Sequence, residues 1–229
     1  MNGKGIALAI LAVSALTMVG CPQENSCNIL TNGIFCAFRV VEENGQALAT
    51  ATFTVGNAWG TELALGPTCG DSVTVNGVAM REQRNAFVYY TADLDVAETY
   101  TFEFKRGDEV FTSTTTTPLP VTITAPAEAA SISRAQAFDV TWEDNNDGVG
   151  EIDLMIGGNC VYLFGDRVTD NGLYTVNAGE LERNTAEAID DACTADVVLS
   201  REVAGQLDPG LKGLIVGRSV DRTWFTTTP

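Results

Sequence analysis

Apolar and polar residues alternate with a period of two along most of the chain. Residues 49–55 place threonines on one face and alanine, phenylalanine and valine on the other, and residues 100–105 alternate aromatic with polar side chains. Because successive side chains of a strand point to opposite faces, this pattern predicts half-buried β-strands. Asn76-Gly77 predicts a type I′ hairpin turn, since both residues tolerate positive φ. Arg106-Gly107-Asp108 predicts a second hairpin tip.

The composition changes at residues 112–120, where a run of hydroxyl side chains leads into two prolines. We interpret this segment as a strand end followed by a domain boundary; a short O-glycosylated stalk is the alternative. The alternation restarts at Val121 and predicts about seven further short strands, a number typical of a sandwich. The predicted fold class is therefore all-β, with two antiparallel β-sandwich domains at residues 27–117 and 118–229.

Residues 181–192 interrupt the alternation. Leu181, Ala188 and Ile189 have helical spacing, but Thr185 occupies the position between them. The segment is therefore expected to form either one short helix or an acidic loop.

The first twenty residues have the pattern of an export signal. Lys4 precedes an apolar run at residues 6–19, which is shorter than the roughly 20 residues needed to span a bilayer. A basic start, a short apolar region and a small residue, here Gly20, are typical of a cleaved secretory signal. We therefore expect residues 1–20 to be removed on export.

The cleavage region carries a more specific pattern. Residues 18–21, Met-Val-Gly-Cys, resemble the lipobox of bacterial lipoproteins, with Met in place of the usual Leu. The resemblance implies that Cys21 carries the lipid anchor and that residues 21–26 form a short tether. Pro22 rather than Asp after the cysteine implies the outer membrane. The alternative is an ordinary secretory signal in which Cys21 lies near the cut by accident.

Beyond the anchor the chain contains five cysteines: Cys27, Cys36, Cys69, Cys160 and Cys193. An exported protein meets an oxidising compartment, where disulfides form. Cys160 and Cys193 are the only two in the C-terminal half, which predicts that they pair. Alternation places Cys36 on an apolar strand face, so we expect it to be a buried free thiol and Cys27 to pair with Cys69. No Cys-x-x-Cys spacing occurs, which argues against metal binding.

The chain has no histidine and a formal net charge of -17. The first fact excludes catalysis by a Ser-His-Asp or Cys-His group, and the second argues against nucleic acid as a partner. We expect the acidic side chains to lie on outward strand positions and loops, where their repulsion keeps sheet edges from pairing.

Three segments were considered as sites. Residues 143–148 resemble the start of a calcium loop, but Leu154 stands where a bidentate Glu is needed, so a turn rich in Asp and Asn is favoured; an interstrand calcium site joined by Asp190 and Asp191 is the alternative. The Arg106-Gly107-Asp108 tripeptide matches an integrin-binding motif but is also ordinary turn sequence. Trp59 could stack on a sugar or a partner, although a role in capping the core is favoured.

The second half also resembles a family. Its segments at residues 123–126, 138–142, 172–176 and 178–181 are similar to those of bacterial lipoproteins with tandem immunoglobulin-like or fibronectin type III-like domains. The cysteine spacing around Trp142 departs from true immunoglobulin domains. The resemblance implies an architecture and a location but no reaction.

We therefore expect a lipid-anchored protein of the cell envelope with a structural or binding role toward a protein or glycan. No catalytic, cofactor or metal site is expected, and the membrane is contacted through the N-terminal lipid. The alternatives are a carbohydrate-active enzyme that uses two carboxylates and a polysaccharide-binding module, which would need a line of exposed aromatic side chains on one sheet face.

Overall fold

The computed structural model describes residues 24–144, 150–186 and 190–229. The described chain is built from strands and three short 3₁₀ turns at Ser26–Asn28, Thr31–Gly33 and Pro67–Cys69, which confirms the all-β prediction. The strands are β1 (Glu24–Asn25), β2 (Ile34–Glu43), β3 (Gln46–Val55), β4 (Leu63–Ala64), β5 (Ser72–Val75), β6 (Val78–Ala79), β7 (Arg81–Arg84), β8 (Val88–Asp95), β9 (Tyr100–Arg106), β10 (Glu109–Thr115), β11 (Ile123–Ala125), β12 (Ala130–Ser133), β13 (Phe138–Trp142), β14 (Glu151–Gly158), β15 (Val161–Thr169), β16 (Leu173–Val176), β17 (Cys193–Ala204) and β18 (Lys212–Thr228).

One long sheet organises the molecule. Its strands follow the order β15-β14-β17-β18-β2-β3-β8-β7, and β12 adds to β18. Two smaller sheets, β10-β9-β5-β6 and β11-β13-β16, supply the opposing layers, and β1 pairs with β4 alone. Most pairings are antiparallel; β1–β4, β2–β18 and β12–β18 are parallel.

Strand β18 joins the two halves of the long sheet. It has 17 residues, and its first part pairs with β2 from Lys212 opposite Phe35 to Val220 opposite Glu43. The same strand pairs with β17 from residue 216 to residue 227. A single strand thus runs from the first half of the fold into the second, a connection of long sequence separation that local alternation does not reveal.

The first core lies between the long sheet and sheet β10-β9-β5-β6. Alternation turns one face of β2 inward, and Phe38 stacks on Phe102 of the opposing sheet with ring centroids 4.9 Å apart. Phe53 contacts Phe104 at 4.7 Å in the same layer. All four rings are fully buried, and burial of such side chains is the main stabilising contribution of a sandwich.

The second core lies between β14, β17 and the distal half of β18 on one side and β11-β13-β16 on the other. Its largest fully buried side chains are Ile152, Leu154, Ile156, Leu199 and Phe225. Phe225 lies ten positions after Ile215, so the period of two places both on the same face of β18. Ile215 packs in the first core and Phe225 in the second, so the two smaller sheets cover the same face of the long sheet.

The predicted domains at residues 27–117 and 118–229 can be compared with these cores. Most side chains of each core come from the corresponding range. Leu207, Leu211 and Ile215 are exceptions, because they follow residue 118 in the chain but pack against the first core. The division by core therefore crosses β18, and the two cores share a strand.

At residues 181–192 the structure describes residues 181–186 and 190–192, and for these the predicted loop is confirmed and the alternative of a short helix is wrong. These form an irregular loop, with Arg183 in an isolated bridge to Val161. Backbone hydrogen bonds from Tyr162 to Glu182 and from Asn184 to Cys160 hold this loop against β15, which competes with helical pairing. Residues 187–189 lie outside the described part of the chain.

The acidic side chains follow the predicted distribution. Of the acids in the described segments, Asp71 and Asp170 alone are buried, and each faces an arginine. The others lie at least partly in solvent, which confirms that the negative charge is carried by outward strand positions and loops.

Candidate functional site

Cys21 lies outside the described residues, but the start of the described chain is closely held. Glu24 and Asn25 form β1, which pairs in parallel with Leu63 and Ala64. The Glu24 amide donates to the Glu62 carbonyl at 3.3 Å. The parallel register directs the start of β1 toward Glu62 and the loop before it, so the chain enters the fold at one end of the first sandwich.

A disulfide fixes this entry point. Cys27 is bonded to Cys69, as predicted. The Ser26 hydroxyl accepts from the Gly66 amide at 2.8 Å, and Asn25 Oδ1 accepts from the Cys27 amide at 2.9 Å. A Cβ at Gly66 would lie 2.1 Å from the Cys27 sulfur, so only glycine fits here. The segment after the proposed tether is therefore rigidly attached to the first sandwich.

The remaining cysteines also behave as predicted. Cys160 is bonded to Cys193 at the opposite end of the molecule, beside the last residues of β18. Cys36 is a free thiol that is completely buried in the first core. Burial raises the pKa of Cys36 to about 12, so this thiol stays protonated and unreactive near neutral pH.

Arg106 ties the entry segment to the opposing sheet. Its side chain is mostly buried, and it donates to the carbonyls of Ser26 at 2.8 Å and Ile29 at 2.9 Å. Asp71 lies 3.2 Å from its Nε. The arginine of the Arg106-Gly107-Asp108 tripeptide thus points into the fold, and the hairpin tip does not present it to a receptor.

Three large apolar side chains lie exposed at the entry end of the first sandwich. Trp59 is 96% exposed, Leu30 77% and Phe87 65%. The prediction that Trp59 caps the core is wrong. Its loop closes on itself, because Asn57 accepts from the amides of Trp59 and Gly60, and the indole is left pointing outward. We call Leu30, Trp59 and Phe87 the apolar tips.

Hydrogen bonds donated by two backbone amides hold the three loops side by side. The Gly56 amide donates to the Gly33 carbonyl at 2.7 Å, which joins the loop of Trp59 to the turn of Leu30. The Val88 amide donates to Glu62 Oε2 at 2.8 Å, which joins the loop of Phe87 to the residue beside Glu24. The apolar tips and the chain entry therefore occupy one end of the sandwich.

Tyr89 and Tyr90 are neighbours in β8, so their side chains point to opposite faces of the sheet. Tyr90 is buried; its hydroxyl accepts from the Leu65 amide at 2.7 Å and donates to Glu82 at 3.0 Å. Burial raises the pKa of Tyr90 to about 12. Tyr89 points to the opposite face and is half-buried. The pair therefore belongs to the packing of β8.

A second buried ion pair lies in the second core, beside the linker that joins the two cores. Arg201 donates to Asp170 through Nε at 2.6 Å and Nη2 at 2.9 Å, and the Trp142 indole donates to the same carboxylate at 2.8 Å. Arg201 also donates to the Pro120 carbonyl at 2.7 Å. The hydrogen bonds of this buried pair tie the linker between the cores to β13 and β17, so we assign it a structural role.

The calcium hypothesis finds no support among the described residues. Residues 145–149 of the loop lie outside them. Glu143 lies near the start of β14, since its carbonyl accepts from Arg201, whereas Asp191 lies near the end, where its carboxylate pairs with Arg183. The eight residues of β14 span about 26 Å, so Asp191 does not approach Glu143, which argues against the alternative of an interstrand site joined by Asp190 and Asp191. The described residues contain no group of three metal-binding side chains.

The uncovered face of the long sheet presents a different surface. A shallow groove of about 640 Å³ crosses it. Four of the ten arginines of the chain line the groove: Arg39, Arg167, Arg218 and Arg222. We call this surface the arginine face.

Acidic partners balance three of these four arginines. Arg167 lies 2.8 Å from Asp153, Arg218 2.6 Å from Glu202, and Arg222 3.6 Å from Glu43. Met155 and Val198 separate the charges, and Met155 is 45% exposed. Exposed pairs of this kind contribute little to stability, so the face combines apolar contact area with charges of both signs on an otherwise acidic protein.

The alternative functions need features that this face does not show. The described residues that line the groove include no aromatic side chain, so the row of stacking rings needed by a polysaccharide-binding module is not found there. The two buried carboxylates, Asp71 and Asp170, lie in different cores and each faces an arginine.

Comparisons with known proteins place the chain in no family. No family model matches it, and no curated protein matches it. Within the described residues, no helix is long and apolar enough to cross a membrane. The lipoprotein resemblance of residues 18–21 therefore stays a prediction.

Proposed function

We propose that the protein is exported, acylated at Cys21 and held at the outer membrane of the cell envelope, where it binds a protein partner and catalyses no reaction. The two disulfides support export, because disulfides form and persist in oxidising compartments and not in the cytosol. The apolar run at residues 6–19 and the lipobox-like residues 18–21 supply the address and the anchor.

The single observation that carries the proposal is the rigid route from the entry segment, which begins three residues after Cys21, to the far end of the fold. The disulfide of Cys27 attaches the chain to the first sandwich six residues after Cys21. From that end, β18 continues for 17 residues, which corresponds to about 56 Å. An anchored protein of this shape holds its second sandwich away from the membrane and leaves the arginine face open along its length.

The arginine face favours a protein partner. Arginine and methionine are enriched in protein interfaces. On the arginine face, Arg167 and Asp153 place charges of both signs beside the apolar side chain of Met155. A polyanionic ligand would be repelled by the acidic partners of these arginines. A protein surface of complementary mixed charge fits best.

Two variants test the anchor and the face separately. Cys21→Ser is expected to move the protein from the membrane fraction to the soluble fraction; an unchanged distribution would contradict the anchor. Met155→Glu is expected to abolish capture of the partner from detergent-solubilised envelope. Leu173→Glu is the matched control, because Leu173 is 48% exposed but lies on the opposing sheet. Equal capture by both variants would contradict a role for the arginine face.

A further inference from the structure

We propose that the apolar tips, Leu30, Trp59 and Phe87, insert into the headgroup layer of the phospholipid bilayer that holds the anchor. This inference rests on the proposed acylation of Cys21 and adds a second contact, made by the folded protein itself. The membrane is then bound at the entry end of the first sandwich, and the orientation of the whole molecule follows.

The length of the tether restricts where the fold can lie. Three residue steps separate Cys21 from Glu24, and an extended chain of that length spans about 10 Å. The headgroup region on each side of a bilayer is about 5 to 8 Å thick. Any group beside Glu24 is therefore within reach of the membrane surface, and Glu24 is fixed to the Glu62 carbonyl.

The direction of entry selects the apolar tips over other exposed apolar side chains. Glu24 pairs in parallel with Leu63, so the start of β1 points toward the loop at residues 56–61 that presents Trp59. Glu62 links the same strand to the loop of Phe87. Leu163 is also 72% exposed, but it lies at the opposite end of the long sheet and has no route to the anchor.

The chemistry of the three loops fits a bilayer surface. Residues 27–35, 55–61 and 85–88 contain no charged side chain, although the chain carries 30 acids. Tryptophan and phenylalanine are favoured at the membrane interface, where an apolar ring meets polar headgroups, and the Asn and Thr residues between them can hydrogen-bond there. Desolvation of these loops therefore costs no buried charge.

The hairpin next to the entry segment indicates which headgroup charge the lipid carries. Arg106 joins β9 to the entry segment, so the turn that carries Asp108 and Glu109 lies at the same end of the molecule. These carboxylates would be repelled by an anionic surface. The proposed target is thus a bilayer surface of zwitterionic phospholipid.

The test uses the full-length protein purified from membranes and placed in zwitterionic phosphatidylcholine vesicles. Lipids brominated close to the headgroup quench the emission of nearby tryptophan. The chain has three tryptophans, and Trp142 is buried in the second core. We expect brominated lipid to quench the wild-type emission, Trp59→Phe to lose that quenching, and Trp224→Phe to keep it.

A second pair of variants distinguishes insertion of the apolar tips into the bilayer from mere proximity of Trp59 to its surface. The double change Leu30→Ser and Phe87→Ser is expected to reduce quenching of Trp59, whereas Leu163→Ser is expected to leave it unchanged. Wild-type emission that is the same with and without brominated lipid would overturn the inference. So would quenching that persists in Trp59→Phe.

The anchor is scored independently on the same preparation by the mass of the N-terminal peptide. An acylated Cys21 without quenching of Trp59 overturns the inference and leaves the proposed function standing. An unacylated Cys21 overturns the proposed function, and the quenching measurement on the same protein then still decides whether the apolar tips bind lipid.

Discussion

The two cores each contain one buried carboxylate, and the two carboxylates are partnered differently. Asp170 accepts two short hydrogen bonds from Arg201 and a third from the Trp142 indole. Asp71 receives one long hydrogen bond from Arg106, 3.4 Å at Oδ1, and its Oδ2 accepts none from the described residues. The first pair is a complete bidentate fork, whereas the second is a loose ion pair.

The difference reflects what each arginine holds. Arg106 directs Nη1 and Nη2 to the carbonyls of Ile29 and Ser26, so it mainly secures the entry segment, which the Cys27 disulfide also secures. Arg201 secures the linker at Pro120, and the other disulfide lies at the distant end of the second core. The linker is therefore tied by the Arg201 side chain and by the Ser219 hydroxyl, which donates to the Leu119 carbonyl at 2.9 Å, whereas the entry point is tied by an arginine and a disulfide.

The largest effect is expected at the junction. Arg201→Met leaves the Asp170 carboxylate buried without its positively charged neighbour, and breaking such a pair costs about 3 to 5 kcal/mol of the free energy of unfolding. Urea denaturation of the purified protein measures this loss. Arg218→Met is the control, since its pair with Glu202 is partly exposed and is worth about 1 kcal/mol or less. Equal losses in the two variants would contradict the account.

Removal of the distal disulfide is expected to cause the second largest loss of stability. The Cys160–Cys193 bond joins residues 33 positions apart. Its removal by the double change Cys160→Ala and Cys193→Ala should cost roughly 3 to 4 kcal/mol, because the unfolded chain regains conformational freedom. Thermal unfolding of the double variant in the absence of reductant tests this, and reductant should then have a smaller effect on the double variant than on the wild type.

A smaller effect is expected at the entry point. Arg106→Met should cost about 2 kcal/mol, since it removes charge-assisted hydrogen bonds to backbone carbonyls from a segment that the disulfide still holds. In a background lacking the Cys27–Cys69 bond the same change should cost more. A double-mutant cycle by urea denaturation measures this coupling. Strict additivity would show that the two attachments act independently and would remove the distinction between entry point and junction.

The smallest effect is expected at alkaline pH, where ionisation of buried tyrosines in the first core should lower stability. Burial raises the pKa of both Tyr90 and Tyr100 to about 12, and Tyr100 also donates to Glu42 at 2.6 Å. The folded state thus retains phenol protons that the unfolded state loses above pH 10. Stability should be unaffected below pH 10 and should fall between pH 10 and 12, by about 1 kcal/mol per tyrosine at pH 11.

Absorbance at 295 nm distinguishes the ionisation of these tyrosines from that of Tyr162. Hydrogen bonds with Thr185 lower the pKa of the exposed Tyr162, so this residue should ionise early and without loss of structure. Tyr90 and Tyr100 should ionise late and together with unfolding. A single titration of all five tyrosines near pH 10 would contradict the expected difference between Tyr162 and the two buried tyrosines.

Local alternation predicted the inward faces but not the partners of the strands. It correctly placed Cys36 in the core, and with it the pairing of Cys27 with Cys69, because the period of two depends only on neighbouring residues. The parallel pairing of β18 with β2 joins Lys212 to Phe35. This pairing depends on residues far apart in the sequence that become buried together, so the local alternation of apolar and polar residues does not predict it.

The candidate surfaces were harder to predict for the same reason. The hydrophobicity of Trp59 predicts that it is buried. The indole points outward because the loop is closed by hydrogen bonds to Asn57, a conformation that the alternation pattern does not show. The arginine face gathers residues from β2, β14, β15, β17 and β18, so its charge pattern exists only once the long sheet has formed. The absence of histidine in the sequence was visible at once, but it only removed classes of enzyme.

The central claim is that the folded protein is held at the membrane through Cys21, and the most direct test is the mass of the N-terminal peptide of the protein recovered from the membrane fraction. The account predicts a peptide that begins at Cys21 and is heavier than its amino-acid sequence by a diacylglycerol group and an amide-linked acyl chain. A peptide that begins elsewhere, or that contains an unmodified Cys21, would contradict it.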